Sequence, residues 1–324
     1  MTPGALPTDQ PDGTGAGAVD YFAGLALTAT RAAALACVPW AGRGRPKDAD
    51  AAATEAMRQV LDSATGRGTV VVGEGAKDEA PMLYDGEQLG QGEREFDIAV
   101  DPLECTHLCA KGLPGALTTI SIAERGAMAT LGTSFYMDKL VAGRAAGGAL
   151  DIEREPEENL ASMSEALGNP IDALRVVVLD KPRHEDLIGR LHAAGAQVTS
   201  PPDGDVAGAL EALLPGGGAD LLMGVGGTPE GVMTACITSA LGGYMQARLA
   251  PRSDEESEAL SDAGLEPGKI LALQDLVRGG SVFVATGVSG GPLLRAPWVA
   301  DGQDWTESMV ISAGSVQRIR EAHQ

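Results

Sequence analysis

The sequence predicts an α/β fold, and two observations carry that prediction. The first lies in the second half, where short Val- and Leu-rich strands alternate with amphipathic helices. Leu174–Leu179, Gln197–Ser200 and Asp220–Met223 read as strands. Helices are expected over Glu185–Ala194, over Val206–Leu214 and from about Thr228 to Leu249. Each strand ends in a polar loop: D-K-P-R-H (180–184), P-P-D-G-D (201–205) and G-V-G-G-T-P-E-G (224–231). In an open α/β sheet such loops collect at the carboxyl rim, where ligands bind. The second observation is F-D-I-A-V-D-P-L-E-C-T, Phe96 to Thr106. Phe96, Ile98 and Val100 alternate as in a half-buried strand, and Pro102 is expected to stop it because it has no N–H. Asp101, Glu104 and Thr106 stand around that stop, before a helix start near Leu108–Lys111. Two readings are open for this corner: a capped turn, or a place where carboxylates hold a cation beside a phosphate.

Composition narrows the function classes. The 324 residues suffice for one large or two ordinary domains, and 44% are hydrophobic. Aromatics make up only 3%, so the core must be built from Ala, Val, Leu and Ile. With 24 basic against 45 acidic residues the net charge is −21. That balance disfavours nucleic acid and anionic membranes as partners. No membrane-length apolar run is expected, and Met1–Val19 reads as a disordered tail rather than a secretory signal. The four cysteines lack CxxC spacing, which speaks against a zinc or redox motif and fits a cytoplasmic location. Cys105 and Cys109, four apart, are ordinary small residues or a redox pair.

The first half begins with a helix over Asp20–Val38, with Asp20 as its cap and Phe22, Leu25, Ala26, Ala29, Ala32, Ala33 and Ala36 inward. A charged loop, Trp40–Asp50, leads to a helix over Ala51–Ser63 with Asp50 at its N-terminus. Gly68–Gly73 is an apolar strand that delivers Glu74 between two glycines, with Asp78 close behind. After the 96–106 corner, Ala116–Ala123 and Ala127–Leu131 read as a hairpin across Glu124–Gly126. The chain turns acidic and helical around Asp151–Pro170. The domain division is therefore expected near 155: a first domain over 20–155, completed by 278–324, and a second over 156–277. Toward the end, Ser281–Ala285 and Ser308–Ser312 look like strands, and Val316–His323 like a basic amphipathic tail.

The acids at strand ends and helix starts are Asp50, Glu74, Asp101, Glu104 and Glu230. Glu230 also has a simpler role, stabilising a helix dipole. No His or Cys motif accompanies them, and an all-oxygen set favours Mg²⁺ or Mn²⁺ over softer metals. Two such ions roughly 3.5–4 Å apart activate water and stabilise the leaving oxygen of a phosphate ester. Thr106 can orient that water, and Asp50 can accept the hydroxyl proton.

D-P-L-E-C-T resembles the signature of the lithium-sensitive phosphatase superfamily. WAGRGRPKDAD, GEGAKDEAPMLYDGEQLG, DIAVDPLECT, KPRH, PPDGDVA, GVGGTPEGV and FVATGVSGGPLL resemble, in that order, the class II fructose-1,6-bisphosphatase family over about 20–323. The resemblance implies a layered αβαβα sugar-phosphatase fold with two mixed sheets. It implies a cytoplasmic, homo-oligomeric enzyme (dimer or tetramer) of carbohydrate metabolism and gluconeogenesis, acting on a small sugar phosphate with a two-ion Mg²⁺ or Mn²⁺ site. By the same carry-over, Asp50 and Glu74 bind one ion, and Asp101, Glu104 and Glu230 the other. Thr106, Asp50 and Asp78 are the catalytic set. Glu104, Cys105 and Thr106 meet the scissile phosphate. Tyr136, Lys181, Pro182, Arg183, Asp203, Gly204, Asp205 and Gly227 contact the rest of the substrate. The basic pair would take the second phosphate, and Asp203 and Asp205 the sugar hydroxyls. Three departures stand out. Cys105 replaces the family's glycine, His107 an arginine and Ala76 an acid. A different sugar or cyclitol phosphate, or a phosphosugar-binding protein without catalysis, are the competing readings.

Overall fold

A computed structural model describes residues 15–73, 82–132 and 136–323, with side chains from 19 onward. The expected loop acids Glu74 and Asp78, with Ala76, lie outside the described residues, as does most of the expected N-terminal tail. Gly15–Val19 is already helical, so the first helix begins earlier than expected. The chain divides into two compact units, one running to Thr130 and resuming at Gly279, the other spanning Leu131–Arg278.

The first unit holds helices α1 (Gly15–Cys37) and α2 (Pro46–Asp62), then strands β1 (Arg67–Val72), β2 (Gln88–Leu89) and β3 (Glu95–Glu104). Helix α3 (Thr106–Lys111) and strand β4 (Leu117–Glu124) follow. Its sheet has the order β12-β13-β11-β4-β3-β1-β2, where β11 is Ser281–Gly287, β12 Trp298–Ala300 and β13 Gln303–Ser312. Strand β14 (Ser315–His323) pairs with β13, from Asp304↔His323 to Ser312↔Ser315. The expected amphipathic tail is thus a strand, its alternation serving a sheet edge. The β1/β3 pair is parallel and β3/β4 antiparallel, so the sheet is mixed.

Helices α1 and α2 cover one face of this sheet. Tyr21, Phe22, Leu25, Ala26, Ala29 and Ala33 of α1 and Met57, Val60 and Leu61 of α2 are buried with Val70, Phe96, Ile98, Val100, Ile120 and Ile122. Alanines on α1 let it lie close to the strands, so few aromatics are needed. The segment Val19–Trp40 is long and apolar enough to cross a membrane by composition, against the sequence expectation. Its buried face, however, belongs to this core. Asp20 does not cap α1, being already inside it, and α2 starts at Pro46, which its fixed φ suits.

Two strand expectations change. β3 is buried on both faces except at Glu95, and it continues past Pro102 to Glu104. The register slips between Asp101 and Glu104, so Pro102 sits in a bulge where no ladder N–H is required. The expected Ala127–Leu131 hairpin arm does not form. Asp97, fully buried, accepts the N–H groups of Gly126 (2.8 Å) and Met128 (3.1 Å) and pairs with Arg125. That carboxylate satisfies the turn which a second strand would otherwise have paired.

The second unit holds strand β5 (Tyr136–Ala142), helix α4 (Pro156–Leu167), β6 (Arg175–Val177), α5 (Glu185–Ala193), β7 (Gln197–Thr199) and α6 (Asp205–Leu213). Then come β8 (Leu221–Gly227), α7 (Thr228–Leu241), β9 (Tyr244–Leu249), α8 (Asp254–Asp262), β10 (Ile270–Ala272) and α9 (Leu273–Leu276). The sheet order is β10-β9-β5-β8-β6-β7. β5 lies between β9 and β8, so the chain enters this unit at 131 rather than near 155. The helix expected to reach Leu249 stops at Leu241 with left-handed Gly242, and β9 follows. β6 runs parallel to both β7 and β8, which brings the three strand ends to one rim.

Candidate active site

In the first unit the site grows from the bulged end of β3. Asp101 and Glu104 are both buried, and each offers a carboxylate oxygen within 4.8 Å of the other's. Asp101 Oδ1 accepts the Leu103 N–H at 3.0 Å, a short turn that the bulge creates. Two buried carboxylates this close call for a cation or a shared proton. Cys105 follows as the N-cap of α3 with φ 65°, ψ 46°, in the left-handed region. The family's glycine at this position therefore has a conformational reason, and the Cys costs roughly 1 kcal/mol relative to it. Thr106 Oγ1 donates to the Leu103 carbonyl at 2.8 Å. The hydroxyl proton thus goes to the backbone rather than to Asp50.

Asp50 lies one turn into α2, not at its cap, and is half-buried. α2 packs on both β3 and α3, which brings Asp50's helix to the corner. The loop before α2 is laced to α3 by Gly42 N–H to Cys109 O (2.9 Å) and Gly44 N–H to Ala110 O (2.8 Å). All four cysteines are buried, and none forms a disulfide. The thiol partner of Cys109 is Cys37, not Cys105; that bond, with burial, pushes the Cys37 thiol up. Either side of the undescribed segment, Gly73 N–H bonds Asp85 Oδ1 (2.9 Å) and Arg58 Nε bonds Glu87 Oε1 (2.7 Å).

In the second unit the strand ends carry the remaining candidates. Lys181 Nζ pairs with Asp203 Oδ1 at 3.0 Å. Arg183 Nε and Nη2 donate to the Val225 carbonyl at 3.0 and 2.6 Å, and its guanidinium lies 5.8 Å from the Tyr136 ring centroid. Burial lowers its pKa, and the neighbouring Arg252 lowers it further. Tyr136 opposes Gly227 in the β5/β8 register. Pro182 opens the short 182–184 helical turn, and Gly204, at φ 108°, caps α6. Asp205 is buried and ion-paired with Lys139, a lysine with no exposed side-chain surface.

The 224–231 glycines differ from their expected use. They are not a loop: β8 runs through Gly227, and α7 starts at Thr228, so Gly227 rather than Thr228 is the cap. A Cβ at Gly226 would stand 1.8 Å from Asp205 Oδ2, and one at Gly227 1.9 Å from Glu230 Oε2. The glycines therefore make room for two carboxylates. Glu230, in the first turn of α7, has Oε2 buried without a hydrogen-bond partner in the described structure. An orphaned buried carboxylate oxygen suits a hard cation.

Two positioning residues escaped the sequence reading. Lys139 had one signal, a lone charge within the apolar strand Y-M-D-K-L-V-A. His184 was visible only as the last letter of K-P-R-H. Its Nε2 accepts the Val225 N–H at 2.8 Å, and Nδ1 lies 2.8 Å from the Leu179 carbonyl, which fixes the proton on Nδ1.

Residues 23–323 match the family described as bacterial fructose-1,6-bisphosphatase, glpX-encoded. The chain is 39% identical over 311 residues to fructose-1,6-bisphosphatase 1 class 2 of Escherichia coli (strain K12), covering 91% of this chain and 92% of the relative. The fructose-1,6-bisphosphatase class 2 of Shigella flexneri matches with the same identity and coverage.

Proposed function

This chain belongs to the bacterial glpX-encoded fructose-1,6-bisphosphatase family, and we propose that it is a divalent-metal-dependent phosphoric monoester hydrolase acting on a sugar bisphosphate. The simplest substrate is fructose 1,6-bisphosphate, converted to fructose 6-phosphate and inorganic phosphate. The observation that carries this reading is the buried Asp101–Glu104 pair at the β3 bulge, whose oxygens come within 4.8 Å of each other.

The residues present fit a hard cation. Asp101 and Glu104 provide buried oxygens, and Glu230 Oε2 is buried without a hydrogen-bond partner among the described residues. With Asp50 and Glu74 they form the ligand set for two Mg²⁺ or Mn²⁺ ions. When bound, such ions lower the pKa of water and neutralise charge on the transferring phosphoryl group. The backbone N–H groups of Cys105 and Thr106 meet the phosphate. Thr106 Oγ1, donating its own hydrogen to the Leu103 carbonyl, accepts a hydrogen bond from the attacking water and so orients it. The water oxygen attacks phosphorus, the P–O bond to the sugar breaks, and a proton given up by the water ends on the sugar oxygen, which leaves as the alcohol beside inorganic phosphate. Lys181 and Arg183 hold the second phosphate, with Tyr136 against the Arg183 guanidinium. Asp203 and Asp205 receive sugar hydroxyls near Gly204 and Gly227, Asp205 being held in place by Lys139. Asp78 is the remaining catalytic acid, and a dimer or tetramer the expected assembly.

Cys105 favours a second reading, the same chemistry on another sugar or cyclitol phosphate. A side chain at a left-handed position beside the scissile phosphate narrows the approach, and His107 follows it. Purified protein with Mg²⁺ or Mn²⁺, offered a panel of sugar mono- and bisphosphates, separates the readings by phosphate release. Preference for fructose 1,6-bisphosphate supports the first, and preference for another sugar the second. No release from any of them would leave a phosphosugar-binding protein.

A further inference from the structure

Tyr136 receives two guanidiniums. The Cζ of Arg252 lies 4.9 Å from the ring centroid and that of Arg183 5.8 Å, both within cation–π reach. Two like charges against one ring repel each other, and Arg252 accordingly helps to lower the Arg183 pKa.

The neighbouring carboxylates are committed elsewhere. Asp203 is paired with Lys181 at 3.0 Å, Asp138 with Arg248 at 2.8 Å, and Asp205 with Lys139. Glu256 accepts the backbone N–H of Arg252 at 2.7 Å and caps its own helix start. Among the described residues no carboxylate is ion-paired with Arg183 or Arg252. The three ion pairs cancel, and the guanidiniums of Arg183 and Arg252 face the Tyr136 ring without an ion-paired carboxylate among the described residues, on a chain whose net charge is −21. Arg183 is fixed by its two bonds to the Val225 carbonyl, which leave its other N–H groups for a ligand. Arg252 is exposed, between β9 and α8, and can adjust. A phosphate monoester dianion matches two guanidiniums in charge and in hydrogen-bonding geometry.

We propose that Arg252 contacts the distal phosphate of the substrate together with Arg183, and that it sets the preference for a bisphosphate. This rests on the reading of Lys181 and Arg183 as the second-phosphate site. The test uses the full chain with its divalent ion and three variants: Arg252→Gln, Arg252→Lys and Arg183→Gln. KM and kcat are measured on fructose 1,6-bisphosphate, and the Kd of fructose 6-phosphate by calorimetry. Arg252→Gln is expected to raise KM and Kd about tenfold, with a smaller fall in kcat, and Arg252→Lys to recover part of the loss. If Arg183→Gln weakens both constants while Arg252→Gln changes neither, the Arg252 inference is overturned and the subsite reading stands. If Arg183→Gln changes neither, or the wild type neither hydrolyses the bisphosphate nor binds the monophosphate, both fall.

Discussion

His184 Nε2 accepts the Val225 N–H at 2.8 Å, so a neutral imidazole ties the 181–184 turn to β8. The adjacent Arg183 grips the carbonyl of the same residue. Gly224, at φ 113°, is the residue that permits this approach, since a Cβ there would lie 2.8 Å from the ring. A protonated ring would put an N–H against the Val225 N–H.

A pH dependence follows with a defined sign. Burial lowers the His184 pKa and Arg183 lowers it further, while the Leu179 carbonyl, Asp205 and Asp138 act the other way. Unfolded chains bind the proton at an ordinary pKa of about 6.5, and the folded chain binds it only at lower pH. The stabilisation is therefore complete above about 6.5 and is lost as pH falls from that value through the folded pKa. His323, half-buried and near Arg31, shifts in the same direction. Melting temperatures measured from pH 7.5 down to 5 should drop, with a shallower drop in His184→Gln. An unchanged slope in that variant would remove His184 as the cause.

The buried Lys139–Asp205 pair predicts an asymmetry. Lys139→Met leaves the Asp205 charge buried without its partner and should cost about 3–5 kcal/mol in urea unfolding. Lys139→Met combined with Asp205→Leu should recover much of that. Gly226→Ala should also destabilise, by about 1–3 kcal/mol, because its methyl would displace the Asp205 carboxylate. Wild-type stability in Gly226→Ala would mean that the pair has room to move.

Cys105→Gly relieves a left-handed residue at φ 65°. Stability should rise by about 1 kcal/mol, or roughly 2–4 °C in melting temperature. If the side chain limits approach to the phosphate, turnover or substrate preference changes as well, read from kcat/KM across sugar phosphates. A gain in stability with unaltered kinetics would make the substitution a structural one alone.

The α/β class and the parallel rim of β6, β7 and β8 were legible because apolar runs ended in polar loops. Most of the α1 core face was legible from its spacing: Phe22, Leu25, Ala26, Ala29 and Ala33 are buried, while Ala32 and Ala36 are only half-buried. Strand β9 was not, since Tyr244–Leu249 continues a helical composition and only the Gly242–Gly243 pair marks the break. Pro102 misled because its missing N–H can be absorbed by a bulge as well as by a strand end. The Gly226–Gly227 pair misled in the opposite sense: it resembles a ligand loop, yet its lack of Cβ atoms serves Asp205 and Glu230. At the site, Asp101 and Glu104 near the end of β3 and Glu230 in the first turn of α7 were readable one by one as acids at element ends, while Asp50 lies inside its helix. Lys139 and His184 were not, because their importance comes from strands far apart in sequence, and Arg252 because a lone arginine in a charged segment has no local pattern.

The most direct test measures initial phosphate release from fructose 1,6-bisphosphate by the wild type and by Asp101→Asn, after chelation and then with Mg²⁺ or Mn²⁺ restored. The expected result is no release after chelation, recovery on adding the ion, and a loss of at least about a hundredfold in Asp101→Asn at both ions. Release that persists without a divalent ion, or full activity in Asp101→Asn, would contradict the assignment of the β3 corner as the metal and phosphate site.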